Sequence, residues 1–173
     1  MEQVVLVAPD GSRVGTAPKS DVHTRDTPLH LAFSCYLFSP DGLLLVTRRA
    51  IGKRTWPGVW SNSFCGHPSP DEQLDDAVRR RIGQELGLAL RDLELVLPDF
   101  SYRAVDAGGM VENELCPVYT AVIDGDPTPD PDEIAEWAWV RPADLAQSLE
   151  RTPFAFSPWL VLQLPQLLAL RGS

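Results

Sequence analysis

The stretch from Trp60 to Leu88 constrains this chain more than any other. A run of small and apolar residues ends in Cys65-Gly66-His67, and a helix with both ends written into the sequence follows it. Ser69 suits the N-cap, Pro70 the first helical position, and Glu72 completes a capping box. Leu74, Ala77, Val78, Ile82 and Leu86 recur at helical spacing and form one apolar face. Gly87 follows the last of them, where a left-handed C-cap is expected. Arg81 and Glu85 lie one turn apart on one face. A thiol, an imidazole and a carboxylate are thus delivered by a turn at Cys65-Gly66 and the helix after it. Taken singly, each has an ordinary explanation. A lone Cys is commonly a small buried hydrophobe, a lone His a structural residue, and a Glu on such a helix part of its solvated face.

The flanking chain predicts strands with a few helices between and after them. Val4 to Val7 and Arg13 to Thr16 read as a hairpin around Pro9-Asp10-Gly11. Residues 18–28 are polar and read as irregular. His30 to Phe38 reads as one strong strand, turned at Pro40-Asp41-Gly42 onto Leu43 to Thr47. Trp56 to Trp60 forms a tight aromatic loop. Leu93 to Leu97 and Phe100 to Ala104 are further strands. Val111 to Val122 is another, with Pro117 marking an edge or a bulge. Residues 124–132 are an acidic, Pro-rich surface loop, and Trp137 to Val140 a short strand. Pro142 opens a helix to about Glu150, Phe154 to Trp159 an aromatic loop, and Leu160 to Leu170 a helix that Pro165 kinks or divides. The order predicts an α+β fold of mixed-sheet α/β layers. At 173 residues a single domain, 1–173, is expected, with residues 1–27 as an N-terminal hairpin and extension packed on it.

Charge and cysteine usage narrow the function. The formal net charge of −9 argues against nucleic-acid binding, while leaving room for a small anion held by a local basic cluster or a metal. Three Cys without a CxxC pair argue against a disulfide framework. Met1-Glu2-Gln3 lacks the basic start of a signal peptide, and no apolar run approaches the ~20 residues of a membrane span. A cytoplasmic, monomeric protein that binds neither membrane nor nucleic acid is expected.

Several residues group by chemistry. Glu112 and Glu114 are i and i+2 on a predicted strand, so their carboxylates share a face. Like charges this close need a cation or a shared proton. His23, His30 and His67 are the three histidines of the chain. With the two carboxylates they would complete a mixed N/O site suited to zinc, manganese or iron rather than calcium, although their spacing matches no compact zinc motif. Glu85 is a separate candidate, suited to magnesium shared with a diphosphate. Lys19, Arg49, Lys53 and Arg81 could hold the same phosphates. Loop Lys and Arg are more commonly just solvated.

The span from Gly66 to Leu88 resembles a Nudix box, G-x5-E-x7-R-E-U-x-E-E-x-G-U, at Gly66, Glu72, Arg80, Ile82, Glu85, Gly87 and Leu88. Arg81 and Gln84 stand where the box has glutamates that help bind metals for diphosphate hydrolysis. Beyond the box, the chain resembles the type 1 isopentenyl-diphosphate Δ-isomerases of that superfamily. The resemblance rests on His-Thr-Arg-Asp-Thr-Pro-Leu-His-Leu-Ala-Phe-Ser at 23–34, Thr-Arg-Arg-Ala at 47–50, Trp-Pro-Gly-Val-Trp-Ser-Asn-Ser-Phe-Cys-Gly-His-Pro at 56–68, Tyr-Arg-Ala at 102–104, Glu-Asn-Glu-Leu-Cys-Pro-Val at 112–118 and Phe-Ser-Pro-Trp at 156–159.

The resemblance implies a Nudix-like fold, a central mixed β-sheet flanked by helices, and interconversion of isopentenyl and dimethylallyl diphosphate. It implies one divalent ion (manganese, zinc or magnesium) on His23, His30, His67, Glu112 and Glu114, and magnesium joining Glu85 to the diphosphate. Cys65 and Glu114 are implied as the proton-transfer groups, with Tyr102 beside Glu114. The chemistry agrees. An alkene is weakly basic, so its acid must be held against it in a dry pocket. A tertiary carbocation follows, which an aromatic face such as Trp159 can stabilise. Lys19, Arg49, Lys53 and Arg81 would anchor the diphosphate and supply remote binding energy. The alternatives are a Nudix diphosphohydrolase and, further off, a metal-binding domain without catalysis.

Overall fold

The computed structural model describes residues 2–172. Met1, where the signal-peptide reading began, and Ser173, the expected end of the domain, lie outside the described residues. Two sheets form. The first contains β1 (Gln3–Val7), β2 (Arg13–Pro18), β3 (His30–Leu31), β9 (Ser101–Val105) and β10 (Val111–Leu115), in the order β2-β1-β3-β10-β9. The second contains β4 (Phe33–Phe38), β5 (Leu44–Arg49), β8 (Arg91–Leu97), β11 (Val118–Val122) and β12 (Ile134–Val140), in the order β12-β5-β4-β11-β8. The short β6 (Trp60–Ser61) and β7 (Phe64–Gly66) pair with β5 and β4. The helices are α1 (Lys19–Val22), α2 (Leu74–Leu86), α3 (Pro142–Arg151) and α4 (Pro158–Arg171).

Strand β4 is buried along its whole length because helices cover both of its faces. Phe33, Cys35 and Leu37 point one way, onto Ala77, Val78, Ile82 and Leu86 of α2. Tyr36 and Phe38 point the other way, onto Leu145 and Leu149 of α3 and Leu160, Leu164 and Leu167 of α4. That two-sided burial explains the unbroken apolar run in the sequence. It also satisfies the expected α+β layering.

The structure corrects several expected boundaries. His30 to Phe38 is two strands in different sheets, broken at Ala32. Val111 to Val122 is likewise two, broken at Cys116-Pro117, where an edge or bulge was expected. The two breaks lie side by side, since β3 runs parallel to β10 and β4 parallel to β11. Pro117 has no N–H for a ladder. At the crossing the Ala32 amide donates to the Leu115 carbonyl (2.9 Å) and the Ser34 amide to that of Pro117 (3.1 Å).

Helix α2 begins at Leu74 with Gln73 at its N-cap, not at Ser69 and Pro70. Ser69 to Glu72 forms a turn instead, closed by Glu72 N–H to the Ser69 carbonyl (3.1 Å). The Glu72 carboxylate accepts from the Ser69 amide (2.9 Å), and is held by Arg80 through Nε (2.7 Å) and Nη2 (2.8 Å). Arg80 thus draws Glu72 toward the middle of α2. The predicted end is correct: Gly87 has φ +64° and its N–H bonds the Gly83 carbonyl.

Residues 18–28 are not wholly irregular, since α1 lies within them. Cys65 and Gly66 lie in β7 rather than in a turn. Trp159 lies in the first turn of α4, not in a loop, and α4 runs undivided through Pro165. Among the described residues no helix is long and apolar enough to cross a membrane.

Candidate active site

The paired crossings bring the candidate residues to one place. Register puts His30 beside Glu114 across β3 and β10, and Tyr102 beside Glu114 across β9 and β10. On the second sheet Ser34 faces Cys65 across β4 and β7, and His67 follows directly. A cleft of about 320 Å³ opens there. Every candidate named from the sequence lines it except His30, which is fully buried behind it.

Ligand atoms of His23, His30, His67 and Glu114 all lie within 4.8 Å of one another. The imidazole rings are 5.1 to 5.9 Å apart between centroids. Glu114 Oε1 lies 3.2 Å from His67 Nε2 and 3.5 Å from His30 Nε2. Glu112 stands outside this close group but reaches it through His23, with Oε2 2.9 Å from Nε2. Its other oxygen accepts from Thr55 Oγ1 (2.7 Å).

The donor set fits a divalent ion. The Nε2 atoms of His23 and His30 and Oε2 of Glu112 are buried without a hydrogen-bond partner. His23 and Glu112 are close yet lack hydrogen-bond geometry. A buried polar atom left unserved costs about 1–3 kcal/mol. Nitrogen lone pairs and carboxylates converging in this way are what a transition-series divalent ion accepts. Protonation suits that role. Burial lowers the pKa of His67, favouring the neutral ligand form against the pull of Glu114. Burial opposes the charge on Glu114, yet its contacts with His30 and His67 hold the carboxyl well below the usual range. Burial also opposes charge on His30, but Glu114 outweighs it and raises that pKa.

Beside this group lies an apolar wall of Tyr102, Trp159 and Trp56, with Cys65 against it. The Tyr102 hydroxyl donates to Glu114 Oε2 (3.0 Å). Trp159 lies 5.7 Å from Tyr102 and 5.5 Å from Trp56, ring to ring. Its Nε1–H donates to Ser61 Oγ and Asn62 Oδ1, both at 2.9 Å. Trp56 has φ +41°, a conformation costing roughly 1–2 kcal/mol in a residue other than glycine. Arg49 holds it there, donating to the carbonyls of Trp56 (3.1 Å) and Thr55 (2.8 Å). The Cys65 thiol donates to Asn62 Oδ1 (3.3 Å). Burial pushes its pKa up to about 12, so the thiol keeps its proton at neutral pH. Gly66 has no room for a side chain, because a Cβ would sit 2.8 Å from Phe33 and 3.0 Å from Arg81.

A charged cluster forms the remaining part of the cleft. Arg81 donates to Glu85 Oε1 through Nε (2.9 Å) and Nη2. Lys53 pairs with Glu133, and Lys19 with Glu2 (2.7 Å). Burial raises the pKa of Glu85 in spite of Arg81, which a cation on the carboxylate would reverse. Arg49 is partly committed to the aromatic loop and lies 5.4 Å from the Trp159 ring. The loop at 124–132 reaches back to this helix: the amides of Thr128 and Asp130 donate to the carbonyls of Leu86 and Glu85.

Sequence reasoning missed Glu133, Asn62, Thr55, Ser34 and Gln163. Glu133 lines the cleft 3.7 Å from Arg81, but its only signal was its place at the end of an acidic loop. Ser34 carried a better one, as a small polar residue within an otherwise apolar strand.

A family model of the NUDIX domain matches residues 28–160. The chain is 63% identical over 166 residues to an isopentenyl-diphosphate Delta-isomerase of Clavibacter michiganensis, covering 96% of this chain and 86% of that one. It is 60% identical over 174 residues to one from Leifsonia xyli, covering 99% and 94%. The crystal structure of DR0079 from Deinococcus radiodurans superposes with a TM-score of 0.75 at 20% identity, covering 95% of this chain and 98% of that one, and supports the fold alone. With a Nudix match over most of its length and this identity to named isomerases, the chain belongs to the isopentenyl-diphosphate Delta-isomerase family of Nudix proteins.

Proposed function

We infer that this protein is a metal-dependent isomerase that interconverts isopentenyl and dimethylallyl diphosphate. Identity to the named isomerases supports the reaction. One observation carries the assignment to this cleft: a protonated thiol and a carboxylate–phenol pair share it with an aromatic wall.

The reaction adds a proton to the terminal alkene carbon and removes one from the carbon two bonds inward. The electron pair of the broken C–H bond becomes the new double bond. Cys65 and Glu114 are assigned to these two transfers, with the Tyr102 hydroxyl on Glu114. Between them lies a tertiary carbocation, for which Trp159 offers a π face in a water-poor pocket. The substrate's small apolar tail gives little grip, so orientation must come from its diphosphate. Lys19, Lys53 and Arg81 are assigned to that group, releasing their present carboxylate partners to do so. Arg49 assists and keeps Trp56 and Trp159 in place. Glu85 is assigned to magnesium shared with the diphosphate. His23, His30, His67, Glu112 and Glu114 would hold a second divalent ion: manganese, zinc or magnesium. Bound there, the ion would supply positive charge that fixes Glu114 and tunes its proton affinity.

Arg81 and Gln84 also argue against hydrolysis. A hydrolytic centre needs metals that activate water and stabilise the leaving oxygen, and two box carboxylates are replaced here. The test is incubation with isopentenyl diphosphate in heavy water. Deuterium in the hydrocarbon tail and dimethylallyl product, with negligible phosphate release, is expected. Rapid phosphate release without deuterium would show a diphosphohydrolase instead.

A further inference from the structure

A hydrogen-bonded chain runs through the core from the α4 side of β4 to the cleft and ends on a sulfur. The Tyr36 hydroxyl donates to Gln163 Oε1 (2.9 Å). Gln163 Nε2 donates to Ser34 Oγ (3.0 Å). Ser34 Oγ lies 3.4 Å from Cys65 Sγ. Tyr36, Gln163 and Ser34 are each fully buried. None is needed for packing as a polar group, and three buried polar side chains on apolar elements are costly unless all are satisfied. They are satisfied in one direction. The Gln163 amide is oriented by Tyr36, so its N–H faces Ser34. That bond fills one lone pair of Ser34 and turns the serine's own proton toward sulfur.

The thiol end is equally directed. Asn62 Nδ2 donates to the carbonyls of Cys35 (3.1 Å) and Phe64 (2.9 Å), so the Asn62 carbonyl oxygen must face the thiol and accept from it. Cys65 Sγ is therefore held between an acceptor, Asn62, and a donor, Ser34. Two contacts of opposite sense fix both the side-chain rotamer and the direction of the S–H bond.

We propose that Ser34 is a positioning residue for Cys65, and that Gln163 and Tyr36 set its direction, so that α4 aims the thiol into the cleft. This rests on Cys65 as a proton-transfer group. Cys116 Sγ is also 3.4 Å from Ser34 Oγ. It is fully buried and lines no part of the cleft, and as a thiol it can either accept the serine's proton or donate to the serine's remaining lone pair. Proton transfer to carbon depends steeply on approach geometry, and a small misplacement costs up to about 100-fold. The groups assigned to the diphosphate, Lys19, Lys53 and Arg81, are not members of this chain of bonds, so its loss is expected to act on kcat rather than on KM.

The experiment uses the full-length, metal-loaded enzyme. Ser34→Ala is expected to lower kcat about 10- to 100-fold, Gln163→Met about tenfold and Tyr36→Phe by a smaller factor, with KM for isopentenyl diphosphate unchanged throughout. Cys116→Ala retains kcat. In a Cys35→Ala, Cys116→Ala background, the infrared S–H band of Cys65 shifts in Ser34→Ala and shifts less in Tyr36→Phe. Unchanged kcat and band in folded Ser34→Ala, with Cys65→Ala inactive, overturns the positioning role and leaves the thiol assignment standing. Full activity in Cys65→Ala overturns both. KM and kcat changing together with a lowered melting temperature, and no band shift, shows a structural role and overturns the proposal. If Ser34→Ala does not fold, Tyr36→Phe decides by the same two readouts.

Discussion

Tyr102 joins Glu114, the carboxylate proposed for proton transfer, to the aromatic wall, donating its hydroxyl to Glu114 at 3.0 Å while its ring packs on Trp159. A hydrogen bond to a charged group contributes about 1.5–3 kcal/mol. Tyr102→Phe keeps the ring and removes the bond, so kcat should fall about 10- to 100-fold with KM little changed. Wild-type turnover in this variant would remove the phenol from the mechanism. The thiols divide the same way. Cys35 and Cys116 are fully buried, whereas Cys65 lines the cleft. An alkylating analogue of the substrate should label Cys65 alone, as read by peptide mass mapping; label on either other thiol would contradict the assigned cleft. The histidines and the paired carboxylates drew notice by residue type and placement, whereas the role of Cys65 came from the resemblance to the isomerases, since as a residue type it does not differ from Cys35 and Cys116. Ser34, Gln163 and Glu133 were not legible. Their significance depends on which residue lies opposite, and the residues they face stand 31, 129 and 80 positions away in the chain.

Helix α2 shows which element signals survive folding. Its apolar face and Gly87 end were legible because both are local. Its start was not: the Glu72 carboxylate does accept from the Ser69 amide as in a capping box, but Arg80 holds it too, and Ser69 to Glu72 closes as a separate turn ahead of Leu74. That clamp makes a pH prediction. Arg80 lowers the Glu72 pKa below its ordinary 4.5. A carboxylate with a depressed folded pKa stabilises fully above its unfolded value and loses that contribution as pH falls through the folded one. The stability gap between wild type and Glu72→Gln should thus be constant above about pH 5 and close progressively below it. Denaturant melts across that range check this, and a gap that widens in acid would refute it. The other end is tested by Gly87→Ala. Left-handed φ alone costs about 1–2 kcal/mol. The added Cβ would also sit 2.3 Å from Thr128 Oγ1 and 3.2 Å from the Thr128 carbonyl. Because Thr128 and Asp130 cap the carbonyls of Leu86 and Glu85, the variant should lose stability and raise KM for the diphosphate together. Lost stability with an unchanged KM would disconnect the cap from Glu85.

At the scale of the whole molecule, the His/Glu group is a junction between sheets. His30 and Glu114 belong to the first sheet, on β3 and β10, and His67 follows β7 of the second. His23 caps α1, in the segment that ties the N-terminal hairpin to β10. That segment meets β10 through the Val111 amide to the Thr24 carbonyl, Thr27 Oγ1 to the Val111 carbonyl and Asn113 Nδ2 to the Thr27 carbonyl, and meets the rest of the protein through Arg54 on the Ser20 carbonyl, Lys19 on Glu2 and the Val7 amide on the Leu29 carbonyl. The sequence showed which residues could be ligands, yet could not show this junction. Reading 30–38 and 111–122 as single strands hid the crossings that place the ligands on two sheets. A divalent ion bound across the junction should stabilise the folded protein by mass action, about 2.7 kcal/mol at a hundredfold excess over Kd. For a chain of this length that is about 5–10 °C in Tm. Removing the ion with a chelator should therefore lower Tm and speed amide exchange first in residues 19–29 and the β1–β2 hairpin. Exchange in α2 and β4, buried in a different core, should be unaffected below the global transition. His67→Ala should start near the chelated Tm and respond no further to chelator. If chelation leaves Tm and exchange unchanged, or loosens α2 before the hairpin, the ion does not join the two sheets. The histidine group would then need another explanation for its unpartnered nitrogens.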